Sequence, residues 1–185
     1  MLITKNADHV LRVERTTKLG ALGEQLAAER MADAGFTDIQ NLNETARHNF
    51  PFADLTARSG TQRFLIGVKT RNEYRADGKL NESYNAVLIR DSVNRQLKEQ
   101  GWSQVRITEM LLKGVQRLAH EWDAIPAWVA VAVRPETSTY SAYFGTMSQL
   151  GLRRSIPMTP AARKLYNALA EHQHDPRILP ALLNR

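Results

Sequence analysis

The sequence predicts a mixed α/β domain in which a central β-sheet is flanked by helices. Apolar residues recur at helical spacing between Thr16 and Gly35. The apolar stretches 52–58 and 62–71 flank Ser59-Gly60-Thr61, a sequence typical of a hairpin turn. Residues 127–133 are apolar throughout with valine at alternate positions, which indicates a strand buried on both faces.

The other elements are predicted in chain order from the same signals. Residues 1–15 show no period and are expected to be a loose arm or a short strand. The pattern further predicts strands at 37–43, 86–89 and 139–145, a long polar loop at 72–86, and helices at 91–100, 103–122 and 160–172. We expect a single domain over 1–185, with a core at about 16–150 and a C-terminal helix over 160–172.

The amino-acid composition limits the kinds of chemistry and the cellular location that this chain can have. The chain has 185 residues, 43% of them apolar, and no cysteine, which excludes disulfides, thiolate catalysis and cysteine-ligated zinc. No apolar run is long enough to cross a bilayer and the N-terminal residues do not resemble a signal peptide, so we expect a cytoplasmic protein without a membrane partner. The net charge of +6 favours a polyanionic partner, although many basic domains bind none.

The hairpin turn decides whether Asp54 and Lys69 can meet. A two-residue loop at Gly60-Thr61 places Asp54 opposite Gly67 and makes Lys69 its diagonal neighbour, about 7–8 Å away. A three-residue loop without a bulge would turn Asp54 to the opposite face of the sheet. The sequence leaves both turns open.

With the two-residue loop, the pattern predicts a site for Mg²⁺ or Mn²⁺ beside a phosphate. Asp54 would be a direct ligand, the Val68 carbonyl a second, and Glu24 of the first helix a third, either directly or through water. Lys69 would stabilise charge on the reacting phosphate. The alternative is a plain ion pair between Asp54 and Lys69 with no metal.

Basic residues surround this predicted site. We expect DNA contacts from Lys18, Thr70, Arg71, Arg75 and Lys79. The alternative for the residues of the long loop is an ordinary solvated surface. Trp102, Trp122 and Trp128 are expected in the core rather than on a base-stacking surface.

An ordered set of short motifs resembles the PD-(D/E)XK nuclease superfamily. The motifs are Thr17-Lys18-Leu19-Gly20-Ala21-Leu22-Gly23-Glu24, then Pro51-Phe52-Ala53-Asp54, then Val68-Lys69-Thr70. The resemblance covers about residues 16–150 and is closest to restriction-endonuclease-like and Holliday-junction-resolvase-like members. It implies a restriction-endonuclease-like core, metal-dependent cleavage of DNA with Glu24, Asp54 and Lys69 as catalytic residues, and assembly as a homodimer.

Gly67 departs from that family pattern, which has an acidic residue two positions before the lysine. Metal binding is then weaker, or another acid has replaced the missing one, or the site is inactive. Glu73, Asp77 and Glu82 on the long loop are the candidate replacements, and a surface role is expected for each.

Three functions follow from these alternatives. The first is a Mg²⁺-dependent DNA endonuclease, and the second is a catalytically inactive nuclease-fold protein that binds DNA or serves in assembly. The third is a protein-interaction domain, which predicts no salt-dependent DNA binding at all.

Overall fold

The structure is a computed structural model that describes residues 2–45, 52–87 and 91–179. Its helices are α1 (Leu2–Asp33), α2 (Leu42–Thr45), α3 (Asp91–Glu99), α4 (Gln104–Glu121) and α5 (Pro160–Arg163). Its strands are β1 (Thr37–Asn41), β2 (Leu55–Ser59), β3 (Gln62–Asn72), β4 (Ser83–Asn85), β5 (Ile125–Arg134), β6 (Thr139–Thr146), β7 (Ser155–Pro157) and β8 (Asn167–His174). Short 3₁₀ turns cover Pro135–Thr137 and Met147–Leu150.

Six strands form one mixed sheet in the order β1-β2-β3-β5-β6-β8. β3 and β5 run parallel, and the other neighbouring pairs are antiparallel. β4 and β7 pair separately. The predicted α/β class, a central mixed sheet flanked by helices, is confirmed. Among the described helices, none is both long and apolar enough to cross a membrane.

Two apolar layers cover the two faces of the sheet. Leu22, Leu26 and Met31 of α1 are buried in one layer, and Leu112 and Val115 of α4 are buried in the other. β5 lies between the layers with residues 127–133 fully buried, as its continuous apolar run predicts.

The tryptophans divide between core and periphery. Trp128 is fully buried and its indole N–H donates to the Thr146 carbonyl oxygen at 3.1 Å, so the core prediction is confirmed for this residue. Trp102 precedes α4 and Trp122 follows it, and both are only half-buried, so they lie at the margin of the core and not within it.

The N-terminal prediction is wrong, because residues 2–15 belong to α1 rather than to an arm or strand. A missing apolar period shows only that a segment does not bury one face. The first proline of the chain is Pro51 and the first glycine is Gly20, so no helix-breaking residue interrupts this stretch. Once a helix has formed, extending it costs little.

The predicted C-terminal helix over 160–172 is also wrong. Thr159 does cap a helix, accepting a hydrogen bond from the Ala162 N–H at 3.3 Å, but that helix ends at Arg163. Asn167–His174 instead forms β8, an edge strand paired with β6. The sheet edge and the contacts of Leu169 and Ala170 with the core override the local helical signal.

The predicted loop 72–86 contains regular structure. Residues 73–81, called the finger hairpin here, are held by a bridge between Tyr74 and Leu80 and by the Arg75 N–H donating to the Lys79 carbonyl at 2.8 Å. β4 follows at Ser83–Asn85, so the strand predicted at 86–89 is displaced. Residues 88–90 lie outside the described residues.

A buried ion triad anchors the finger hairpin. The Glu73 side chain is only 3% exposed and binds Arg134 through one oxygen and Arg163, at 2.5 Å, through the other. Burial raises the pKa of Glu73, but the hydrogen bonds from both guanidinium groups outweigh it and hold that pKa below 4.5. The surface role expected for Glu73 is therefore wrong.

α1 approaches the sheet most closely at Gly23. A Cβ placed on Gly23 would lie 1.7 Å from Thr70 Oγ1 and 2.7 Å from Thr70 Cβ, so no larger residue fits without movement. Glycine at this position sets the distance between α1 and β3, and thereby the position of the next residue, Glu24.

Gly23→Ala should lower the free energy of unfolding by about 1–3 kcal/mol, because the added methyl group overpacks the contact with Thr70. Gly20→Ala is the matched control on the same helix, since no atom lies within 4 Å of its added Cβ. This control should raise stability by up to about 1 kcal/mol. Urea denaturation measures both; equal effects would contradict the close approach.

Glu73→Gln should cost about 3–5 kcal/mol at neutral pH, because two guanidinium groups lose their charged partner. A carboxyl group with a lowered pKa contributes stability above its unfolded pKa and loses it as the pH falls. Wild type should therefore lose stability more steeply than the variant below pH 4.5. Exposed Glu82→Gln is the control for denaturation across this range, and parallel pH profiles of wild type and Glu73→Gln would refute the anchor.

Candidate active site

The hairpin between β2 and β3 closes through the two-residue loop. Ser59 pairs with Gln62, and Leu55 pairs with Ile66. The backbone N–H of Asp54, just before β2, donates to the carbonyl of Ile66, the residue that Leu55 also opposes, at 2.8 Å. Of the two turns that the sequence left open, the structure therefore has the two-residue one, and Asp54 lies beside the part of β3 that carries Lys69.

β3 continues past the start of β2, which leaves one of its edges open. No described strand pairs with that side of β3 beyond Ile66, and residues 68–72 are called the open edge here. The Val68 N–H instead donates to Asp54 Oδ2 at 2.6 Å. Because the N–H and C=O of one strand residue point to the same side, the Val68 carbonyl also faces this edge.

Lys69 lies beside the same carboxylate. Its Nζ is 3.8 Å from Asp54 Oδ2, and the two side chains are 20% and 22% exposed. The structure therefore brings Asp54 and Lys69 together. Both groups remain accessible enough to meet a substrate at the surface.

Glu24 reaches the site from α1. Its carboxylate accepts hydrogen bonds from Asn41 Nδ2 at 3.1 Å and from Asn43 Nδ2 at 3.3 Å. Burial raises the pKa of Glu24, and the negative charge of Asp54 raises it further, against the lowering effect of both amides and of Lys69. The negative charges of the Glu24 and Asp54 carboxylates therefore disfavour each other.

The donor set suits a hard divalent cation. No group of three or more histidine, aspartate or glutamate side chains placed to hold a metal occurs in the described part of the chain. Two carboxylates and one backbone carbonyl are nevertheless oxygen donors of the kind Mg²⁺ takes while keeping several waters. A cation here would also relieve the repulsion that raises the Glu24 pKa. The residues present fit Mg²⁺ or Mn²⁺.

Gly67 has a steric reason to be glycine. A Cβ at this position would lie 2.9 Å from the Phe52 carbonyl oxygen, a backbone atom, so an acidic side chain requires the chain at Phe52 to shift. None of the predicted replacement acids is drawn into the site. Glu73 is held in the buried triad, while Asp77 and Glu82 are exposed and Asp77 pairs with Lys79 at 3.9 Å.

Most of the predicted DNA-binding residues lie around one cleft. A cavity of about 450 Å³, called the finger cleft, runs between α1, the open edge and the finger hairpin, and Lys69, Thr70, Arg71 and Arg75 line it. The Thr70 hydroxyl is buried against Gly23, so it is not presented to a phosphate. Lys18 and Lys79 are exposed on α1 and at the hairpin tip.

Sequence reasoning missed two kinds of residue: the side-chain amides that hydrogen-bond to Glu24, and Arg15, which lies across the finger cleft from the finger hairpin. The sequence pattern places Asn41 and Asn43 in a strand and Arg15 in an arm. Extending the helix back from Leu19, which also lines the finger cleft, would place Arg15 one turn earlier on the same side of α1. No sequence signal connects Asn41 to Glu24.

Comparisons with known proteins find one similar solved structure and no matching family or curated protein. No protein-family model matches the chain. No curated protein matches it either. Among solved structures, it resembles Hjc from Archaeoglobus fulgidus, a Holliday junction resolvase from an archaeal hyperthermophile. The TM-score is 0.47 at 15% identity, over 81% of this chain and 96% of that one.

Asp54→Asn should lower the pKa of Glu24, because it removes a neighbouring negative charge. Asn41→Ala should shift the same pKa upward by removing a hydrogen bond to the carboxylate. A carboxyl-detected NMR titration without metal measures both, with exposed Asp77→Asn as the control. An unchanged Glu24 pKa in Asp54→Asn would contradict the convergence of the two carboxylates.

Proposed function

We propose that this protein is a metal-dependent DNA endonuclease that hydrolyses phosphodiester bonds at the open edge of β3. One observation carries the proposal. Lys69 lies 3.8 Å from the Asp54 carboxylate at this edge, and the negative charge of Asp54 acts on the carboxyl group of Glu24 from α1 and helps to raise its pKa. That combination of paired acids and a cation suits phosphate chemistry better than a structural ion pair.

In this proposal Glu24, Asp54 and the Val68 carbonyl hold Mg²⁺ or Mn²⁺. When bound, the ion supplies Lewis acidity and lowers the pKa of a coordinated water. The side chains of the protein orient the metal ligands and neutralise charge on the phosphate. Asn41 fixes the Glu24 carboxylate through its 3.1 Å hydrogen bond, and Lys69 stabilises negative charge that develops on the phosphate.

DNA is the proposed substrate and partner. Arg71 and Arg75 line the finger cleft, and Lys18 on α1 and Lys79 at the hairpin tip are exposed; all four would contact backbone phosphates. Thr70 shapes the floor of the cleft. A homodimer, which would present two sites to two strands, and a cytoplasmic location complete the proposal.

A second candidate is a nuclease-fold protein that binds or assembles on DNA without cutting it. The contact at Gly67 favours it, because the Phe52 carbonyl occupies the space that a third acidic side chain would need. This candidate predicts DNA binding that is indifferent to metal and falls with salt according to the number of basic contacts.

Cleavage of plasmid, linear, single-stranded and branched DNA with Mg²⁺, Mn²⁺ or EDTA tests the proposal. Asp54→Asn and Lys69→Met should each reduce metal-dependent cleavage by about 100-fold or more, because the first removes a charged metal ligand and the second removes the cation that stabilises negative charge on the phosphate. Exposed Asp77→Asn and Lys164→Met are the matched controls and should cut at the wild-type rate.

Two outcomes would overturn the endonuclease proposal. Wild type that cuts none of these substrates but binds DNA equally well in EDTA would support the second candidate. Cutting that survives Asp54→Asn would place the chemistry elsewhere.

A further inference from the structure

The finger hairpin is too well fixed to be a passive loop. Its two ends are tied by the Asn81 N–H donating to the Glu73 carbonyl at 2.8 Å, and its tip turns at Gly78, whose φ is +75°. Below it, Arg134 and Arg163 hold both oxygens of buried Glu73. A hairpin anchored in this way presents its side chains in a fixed arrangement to whatever enters the cleft.

The finger cleft is cationic and of suitable size for one nucleotide. Its volume of about 450 Å³ falls in the range of small-ligand sites. Arg15 of α1 faces the cleft from one side, and Lys69, Arg71 and Arg75 line the other. No aspartate or glutamate is among the described residues that line it. Its electrostatics therefore suit a phosphate group.

A phosphate alone leaves other polar groups of the cleft unused. Asn72, Asn81 and Asn85 line the cleft, and Asn85 is exposed there. Amide side chains both donate and accept hydrogen bonds. A phosphate diester offers only acceptors, whereas the edges of a nucleobase offer donors as well as acceptors.

Tyr74 supplies a stacking surface at the same place. It lines the cleft, its ring is 44% exposed, and the Arg134 guanidinium lies over the ring at 5.5 Å from the centroid. The same Arg134 binds Glu73, so the guanidinium that contacts the Tyr74 ring is itself held by the anchor of the finger hairpin. Exposed aromatic rings in cationic grooves are the usual platforms for unpaired bases.

We infer that the finger cleft binds one unpaired nucleotide of DNA, with the base stacked on Tyr74 and its edge facing the asparagine amides. Its phosphate would lie among Arg15, Arg71 and Arg75. Because Lys69 belongs both to the cleft and to the candidate active site, this nucleotide adjoins the scissile phosphate. The inference deepens the proposed nuclease function by naming its substrate as DNA with an unpaired nucleotide next to the cut.

Binding measured without metal separates this inference from catalysis. Fluorescence anisotropy in EDTA at fixed salt compares labelled single-stranded DNA, a duplex with a short unpaired bulge, and a fully paired duplex of equal length. Wild type should prefer the two unpaired substrates, because a paired base must first be unstacked to enter the cleft. Asp54→Asn should keep this preference for unpaired DNA. The binding result can therefore be interpreted even if the protein does not cleave DNA.

Tyr74→Leu should weaken binding of unpaired substrates at least about fivefold, because the base loses its stacking partner. Binding to the paired duplex should stay unchanged. Tyr74→Phe, which keeps the ring, should retain the preference. Arg75→Ala should weaken all three substrates together and reduce the salt dependence of binding, as expected of a phosphate contact.

Equal affinity of wild type for paired and unpaired DNA would overturn the inference, whatever the variants do. So would a Tyr74→Leu effect of the same size on all three substrates, because it would indicate a general backbone contact. Since the wild-type comparison needs no variant, a folding defect in Tyr74→Leu does not remove the test.

Discussion

The hydrogen bond from the Val68 N–H to Asp54 Oδ2 is the interaction on which the candidate site depends. β3 runs beyond the start of β2, and on that side its backbone has no described neighbouring strand, while β5 pairs with its other side. The Asp54 side chain satisfies the first free N–H at 2.6 Å, which orients the carboxylate toward Lys69 and the Val68 carbonyl. A strand continuing along β3 at this point would leave no room for a site.

The close approach of α1 supplies the other half of the arrangement. Gly23 lets the helix rest on Thr70, and Glu24, one residue later, is then held by Asn41 near the same edge. Burial of the Glu24 carboxylate, and after it the negative charge of Asp54, raise the pKa of Glu24. Destabilised charges of this kind are common where a protein binds a cation or performs acid–base chemistry. Beyond the open edge, the buried Glu73 anchors the finger hairpin, so both sides of the finger cleft are fixed before any ligand binds.

Local sequence pattern predicted the elements that bury a face. The hairpin turn at Gly60-Thr61 and the continuous apolar run of β5 were sufficient to predict their strands, whereas the sequence left open whether that turn has two residues or three. Elements that depend on distant partners were missed. β8 forms because β6 has a free edge, and the caps of a helix at Thr159 gave the opposite signal. The role of Glu73 was missed because its partner Arg163 is distant in sequence.

Binding of Mn²⁺, followed by electron paramagnetic resonance, shows whether the open edge of β3 holds a metal. Wild type should have a single site per chain, which Asp54→Asn and Glu24→Gln should abolish and Asp77→Asn, a control at an exposed aspartate, should keep. Wild type that binds no Mn²⁺ at millimolar concentration, or that binds it equally well after both carboxylates are changed, would contradict a metal-dependent site at the open edge of β3.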